Sequence, residues 1–219
     1  MYTIENMYDL SHTIAAELFV GITHPWELLD SIKDFIIALG RKLDPNIYEN
    51  RGNNVFVAKD ATVAPTAFIG GPCIIDSGAE IRHCAYIRGS AIVGKGTVVG
   101  NSTELKNCIL FDGVQVPHFN YVGDSVLGYR SHMGAGAVTS NVKSDKTQVA
   151  VKVEGSKTDT GRKKLGAMLG DFVEVGCNSV LNPGTVIGKH SNVYPTSCVR
   201  GMIPEGHMWK NDGSVVKKI

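Results

Sequence analysis

Three side chains stand apart by chemistry and spacing. His118 follows Pro117 and precedes Tyr121 by three residues. An imidazole exchanges protons near neutrality, which suits it to acid–base work. A lone histidine in an apolar stretch is often structural, and the adjacent proline and tyrosine set this one apart. Arg88 and Lys106 lie 18 residues apart, each directly after an aliphatic residue, Ile87 or Leu105. Two fixed cations suit a dianion such as a phosphate. A third basic feature runs from about Val142 to Lys164. It holds Lys143, Lys146, Lys152, Lys157, Arg162, Lys163 and Lys164 against Asp145, Glu154 and Asp159. This stretch reads either as a solvated loop or as an arm leaning over an anionic site.

Other chemistries are disfavoured. Cys73, Cys84, Cys108, Cys177 and Cys198 are odd in number, without a C-x-x-C pair, and read as small apolar filler in a reducing compartment. Gly89 to Lys95 imitates a phosphate-binding loop, but Gly96 stands where a Ser or Thr must hold Mg²⁺. A three-histidine zinc site lacks its second ligand, since no histidine lies between His118 and His132. No metal is expected. Lys plus Arg is 22 and Asp plus Glu is 21, a balance that points to neither nucleic acid nor an acidic membrane. No apolar run reaches the roughly 18–20 residues of a membrane span, and the N-terminus lacks a signal pattern, so a cytoplasmic protein is expected.

The elements that position these residues follow from an internal repeat. Val57, Val63, Ile69, Ile75, Ile81, Ile87, Val93, Val99 and Leu105 recur at a spacing of six, usually with a small residue two places earlier. The phase loosens through Val116, Val122, Leu127 and Met133. It resumes at Leu169, Val175, Leu181, Ile187, Val193 and Val199. Six fits neither a helix nor a plain alternating strand. It fits a short strand plus a turn, three units closing one triangular coil, with the aliphatics stacked inside a solenoid. Glycine after the aliphatic, as at Gly100, is expected to turn the corners. Eighteen residues is one coil, so Arg88 and Lys106 should stack on one face. Their mutual repulsion makes sense if an anion sits between them.

Outside the repeat, residues 25–39 read as a helix with Leu29, Ile32, Ile36 and Leu39 as its apolar stripe, and a shorter helix is expected around 12–19. The expected domains are a helical cap or linker over 1–50, a β-helix over 51–203 with an insertion at about 142–164, and a tail over 204–219.

The hexad pattern over about 52–200 resembles the left-handed parallel β-helix of hexapeptide-repeat proteins; the handedness comes from that resemblance. Residues 85–141 carry a narrower likeness. They contain G-N-x-x-E-x-K (Gly100 to Lys106), H-x-x-Y-x-G-D (His118 to Asp124) and G-A-G-x-x-T-x-N (Gly134 to Asn141). The later DTGRKKLGAMLGD, and HPWELLDSIKDF before the repeat, extend it. Together they resemble the acetyltransferase half of the bifunctional UDP-N-acetylglucosamine pyrophosphorylase/glucosamine-1-phosphate N-acetyltransferase family.

The resemblance implies an acetyl-CoA-dependent N-acetyltransferase acting on an amino-sugar 1-phosphate, with sites between the subunits of a homotrimer. It makes His118 the general base. Arg88 and Lys106 become ligands of the sugar phosphate, Tyr121 and Asn141 sugar-binding or amine-orienting residues, and Ala135 a CoA contact. Departures fall at His132, where the family often has a sugar-binding Asn, and at Cys177, where a Ser helps bind acetyl-CoA. Lys146 is the choice for a further phosphate-binding lysine. The nucleotidylyltransferase half is missing from the resemblance, so a separate nucleotidylyltransferase is a possible partner. The rival readings are a non-catalytic sugar-phosphate or nucleotide-sugar binding subunit and a sugar O-acetyltransferase of the same fold.

Overall fold

The computed structural model describes residues 2–153 and 156–218. Its hexads wind into a left-handed parallel β-helix of about eight coils. Each coil visits three faces. Val55–Ala58 starts the first, Thr62–Val63 the second and Phe68–Ile69 the third. Strands pair in parallel with their counterparts one coil away, Val55 with Cys73, Thr62 with Glu80 and Phe68 with Tyr86. The inward aliphatics from Ile75 to Leu105 are almost completely buried. A prism this narrow has no room for aromatics, and period six gives each coil the same three inward positions.

Two expectations about backbone need correction. The glycines after the aliphatics make room more than they turn. At Gly100, whose φ is not positive, an added Cβ would fall 1.6 Å from the carbonyl oxygen of Pro117 in the next coil. The left-handed turns fall one or two residues later, often on non-glycine residues such as Asn107 (φ 49°) and Asp124 (φ 50°). Asn and Asp tolerate that region better than other side chains.

The helix expected over 25–39 is a 3₁₀ turn, Glu27–Asp30, followed by an α-helix, Ile32–Gly40. The earlier segment gives 3₁₀ turns at Leu10–His12 and Ala16–Phe19. None of this closes the end of the prism. The first coil keeps a cavity of about 330 Å³ lined by Val55, Val63, Ala67 and Ile69. The Ile32–Gly40 helix lies along the first face instead, against strands Cys73–Ile75, Ala91–Val93 and Glu104–Leu110. The reason is a second apolar row. Phe56, Ile74, Ile92, Ile109, Val126, Met168 and Val186 alternate with the inward residues and so point outward, yet all are buried. Ile32 and Ile36, fully buried, are the helix's contribution to covering that row. Asp171 fastens the segment by accepting from the Asp9 N–H at 2.8 Å, and its own N–H donates to the Met7 carbonyl at 3.0 Å.

The 142–164 stretch is a β-hairpin, Val149–Val153 antiparallel to Ser156–Arg162. The 204–219 tail also forms a hairpin, in which Val215–Lys217 pairs with His207–Trp209 at the end of the second face.

Candidate active site

The period fails at one edge, where the third face turns into the first, four times in all: once at the last turn, Val199 to Ile203, and in three consecutive coils before it. Leu105 to Leu110 and Val122 to Leu127 are five residues each instead of six, and strands Glu104–Leu110 and Tyr121–Leu127 run across the edge without a break. In the next coil the chain leaves after Asn141 to build the hairpin and returns at Gly166. These tightened turns draw polar side chains together. Asp124, buried, is their centre. Its carboxylate accepts from Lys106 Nζ at 2.9 and 3.0 Å, from Asn107 Nδ2 at 2.9 Å and from Asn141 Nδ2 at 2.6 Å. We call this the aspartate edge.

Asn141 also donates to the Tyr121 hydroxyl at 3.2 Å, which leaves the phenolic proton free to be given to a ligand. Burial, helped by the carboxylates of Asp124 and Glu104, pushes that phenol above its usual range, so it stays protonated. Arg88 and Lys106 do stack here, but not as a bare like-charge pair. Arg88 Nη1 is 3.0 Å from Glu104, whose hydrogen bond raises the guanidinium further, and Lys106 is held by Asp124. Each cation has its own carboxylate because the next coil supplies one, Glu104 to Arg88 and Asp124 to Lys106. Both line a cavity of about 340 Å³ with Ser90 and Asn107.

The second–third edge is regular and carries a different column. His118 ends strand Gln115–His118 there, and its exposed imidazole has no hydrogen bond among the described residues. Backbone bonds stack the column: Gly136 N–H donates to the His118 carbonyl at 3.0 Å, Asn178 to Ala135 at 2.8 Å and Thr196 to Cys177 at 2.8 Å. His118, Ala135 and Cys177 therefore share one edge. Tyr121 lies on the third face between this histidine edge and the aspartate edge, in register with Glu104 and Val138.

Two expected residues fall outside both columns. His132 points from the second face and pairs with Glu174, Nδ1 to Oε2 at 2.8 Å. Lys146 is exposed in the turn before the hairpin. The hairpin lysines beside Lys106 and Asp124 are Lys163 and Lys164, which line a cavity of about 400 Å³ with Arg162 and Asp30. Sequence reasoning missed Asp124 and Asn107 as a unit, although Asp124 closes the H-x-x-Y-x-G-D stretch. It also missed Phe119, which follows His118, is 63% exposed and sits at φ 52°, an uncommon place for a bulky residue. Among the described residues no cluster of three His, Cys, Asp or Glu could hold a metal. No helix among them is long and apolar enough to cross a membrane.

Residues 69–203 match the family model described as the GMPPB C-terminal domain. The chain belongs to this family. Its relatives include the bifunctional sugar-1-phosphate nucleotidylyltransferase/acetyltransferase of Sulfurisphaera tokodaii, 32% identical over 202 residues, covering 88% of this chain and 49% of the relative. The bifunctional protein GlmU of Methanococcus maripaludis is 34% identical over 201 residues, with 90% and 48% covered. The chain thus spans about half the length of the curated relatives it matches. Among solved structures, the acetyltransferase domain of PglB from Neisseria gonorrhoeae in complex with acetyl coenzyme A is similar at 20% identity. That match covers 71% of this chain and 54% of that one, with a TM-score of 0.40.

Proposed function

We propose that this protein transfers the acetyl group of acetyl-CoA to the nitrogen of an amino-sugar 1-phosphate, glucosamine 1-phosphate in the first instance. The observation that carries this reading is the pairing of the two edges across one face. Cations and hydrogen-bond donors converge at one side of the third face, an unpartnered imidazole stands at the other, and Tyr121 lies between. An acceptor laid across the face puts its phosphate against Arg88 and Lys106 and its amine toward His118. The donor runs along the histidine edge past Ala135 and Cys177.

In the reaction the amine nitrogen attacks the thioester carbonyl. A C–N bond forms, the C–S bond breaks and CoA leaves as its thiolate. His118 accepts the proton that the nitrogen sheds, a role worth about 10²–10⁴ in rate. The Tyr121 hydroxyl is free to hold a sugar oxygen, its lone pair being engaged by Asn141. No step calls for a metal.

The third face is open to solvent in one chain, with Phe68 60% and Tyr86 44% exposed on it. The first face is already covered by the chain's own N-terminal segment. A homotrimer that packs the open faces around an axis would close the site, and light scattering at three times the 23.5 kDa chain mass is expected. The reaction is tested by thiol release from acetyl-CoA with glucosamine 1-phosphate and galactosamine 1-phosphate. Turnover with either supports it. Binding of a nucleotide sugar without any CoA release would replace it with a non-catalytic binding subunit.

A further inference from the structure

Covering the apolar row is only part of what the Ile32–Gly40 helix does. Ile32 and Ile36 face the solenoid, which leaves Lys33 exposed beside the aspartate edge. There Lys33 lines the same cavity as Arg88, Ser90 and Lys106. On the other flank of Lys106 lies the cavity lined by Lys163 and Lys164, and Lys106 and Asn107 belong to both. The 3₁₀ turn before the helix is tied to this second cavity, because Asp30 takes a two-pronged bond from Arg162 at 2.6 and 2.7 Å.

Charge matching singles out three groups. Glu104 is committed to Arg88, Asp124 to Lys106 and Asp30 to Arg162. Lys33, Lys163 and Lys164 have no carboxylate among the described residues. These unmatched ammonium groups stand on the two flanks of Lys106, where their positive charge favours an incoming anion. Lys163 and Lys164 come from the hairpin insertion, and Lys33 is the one supplied by the N-terminal segment.

We infer that Lys33 is a phosphate ligand of the acceptor, so that the N-terminal helix forms one wall of the anion site. The inference rests on the acceptor reading above. Its chemistry is that of phosphate oxygens, carried either by a sugar 1-phosphate or by the diphosphate of a nucleotide-linked amino sugar. Lys33 is exposed and Gln has a similar helix propensity, so Lys33→Gln should leave the melting temperature unchanged.

The test is titration calorimetry on the full chain with inorganic phosphate, pyrophosphate, glucosamine 1-phosphate and a nucleoside-diphosphate amino sugar. Lys33→Gln should weaken phosphate-bearing ligands roughly fivefold, and Lys33→Glu more. Lys33→Arg should bind nearly as wild type does, and so should Lys42→Gln, a charge change on the same segment away from both cavities. A larger loss for pyrophosphate and the nucleoside-diphosphate sugar than for the monophosphates assigns Lys33 to a second phosphate, and an equal loss assigns it to the first. Unchanged binding in Lys33→Gln and Lys33→Glu overturns the inference. Calorimetry needs no turnover, so its outcome is separable from that of the thiol assay. Lys33-dependent anion binding without acetyl transfer would drop only the reaction. Acetyl transfer with Lys33-independent binding would drop only this assignment.

Discussion

The two edges of the third face are built on opposite plans. The histidine edge keeps the six-residue period through every coil, and its column is stacked by backbone bonds such as Gly136 to His118 and Asn178 to Ala135. Its candidate side chains, His118 and Cys177, are exposed and contribute little to holding the solenoid. The aspartate edge gives up the period, loses a residue in two coils and gains a hairpin in the next. It is held by side chains that converge on buried Asp124. Where the backbone supplies the order, side chains are free for chemistry. Where side chains must hold an anion site, they also hold the fold.

That contrast can be pressed from its strongest consequence downward. Asp124→Ala leaves the Lys106 ammonium and the Asn107 amide without their acceptor, and Asn141 with only the Tyr121 hydroxyl. It should cost about 3 kcal/mol, at the lower end for a broken buried pair because Lys106 remains a quarter exposed, read from urea unfolding. Asn141→Ala removes the bonds to Asp124 and Tyr121 and should cost about 1–2 kcal/mol on the same measurement. The Asp30–Arg162 tie is smaller. The Arg162 hydrogen bond lowers the Asp30 carboxyl below its usual value, so its contribution is full above the unfolded value near pH 4 and fades as pH falls through the lower folded one. Asp30 is 82% exposed, so the loss should stay below about 1 kcal/mol. Hydrogen exchange in the hairpin should nonetheless quicken in Asp30→Asn relative to the wild type, both measured at pH 6. Smallest of all, His118→Ala and Cys177→Ser should leave stability within about 0.5 kcal/mol. A large loss of stability in either would erase the distinction between the edges.

Much of this was legible in the chain. The hexads from Val57 to Leu105 specify the solenoid, and an 18-residue spacing is enough to stack Arg88 on Lys106. The outward row was legible too, since Ile74, Ile92 and Ile109 each stand one place before an inward aliphatic on every third hexad. An apolar row that cannot face water needs a cover, and the helix stripe of Ile32 and Ile36 was waiting to be matched to it. The carboxylates were harder. Glu104 reaches Arg88 across 16 residues, and Asp124 reaches Lys106 and Asn141 across 18 and 17. Those offsets mean contact only once the shortened turns are known. The Asp30–Arg162 pair joins residues 132 apart, from two segments outside the repeat, and nothing local announces it.

The most direct measurement is the kcat and KM of acetyl transfer for His118→Ala beside Arg88→Ala, with glucosamine 1-phosphate as acceptor. Arg88 is exposed and its partner Glu104 is accessible to water, so both variants should fold. The two-edge site requires His118→Ala to lose kcat by about 10²-fold or more with acceptor KM little changed. It requires Arg88→Ala to raise acceptor KM with kcat largely kept. Turnover that survives in His118→Ala, or a fall in kcat alone for Arg88→Ala, would contradict it.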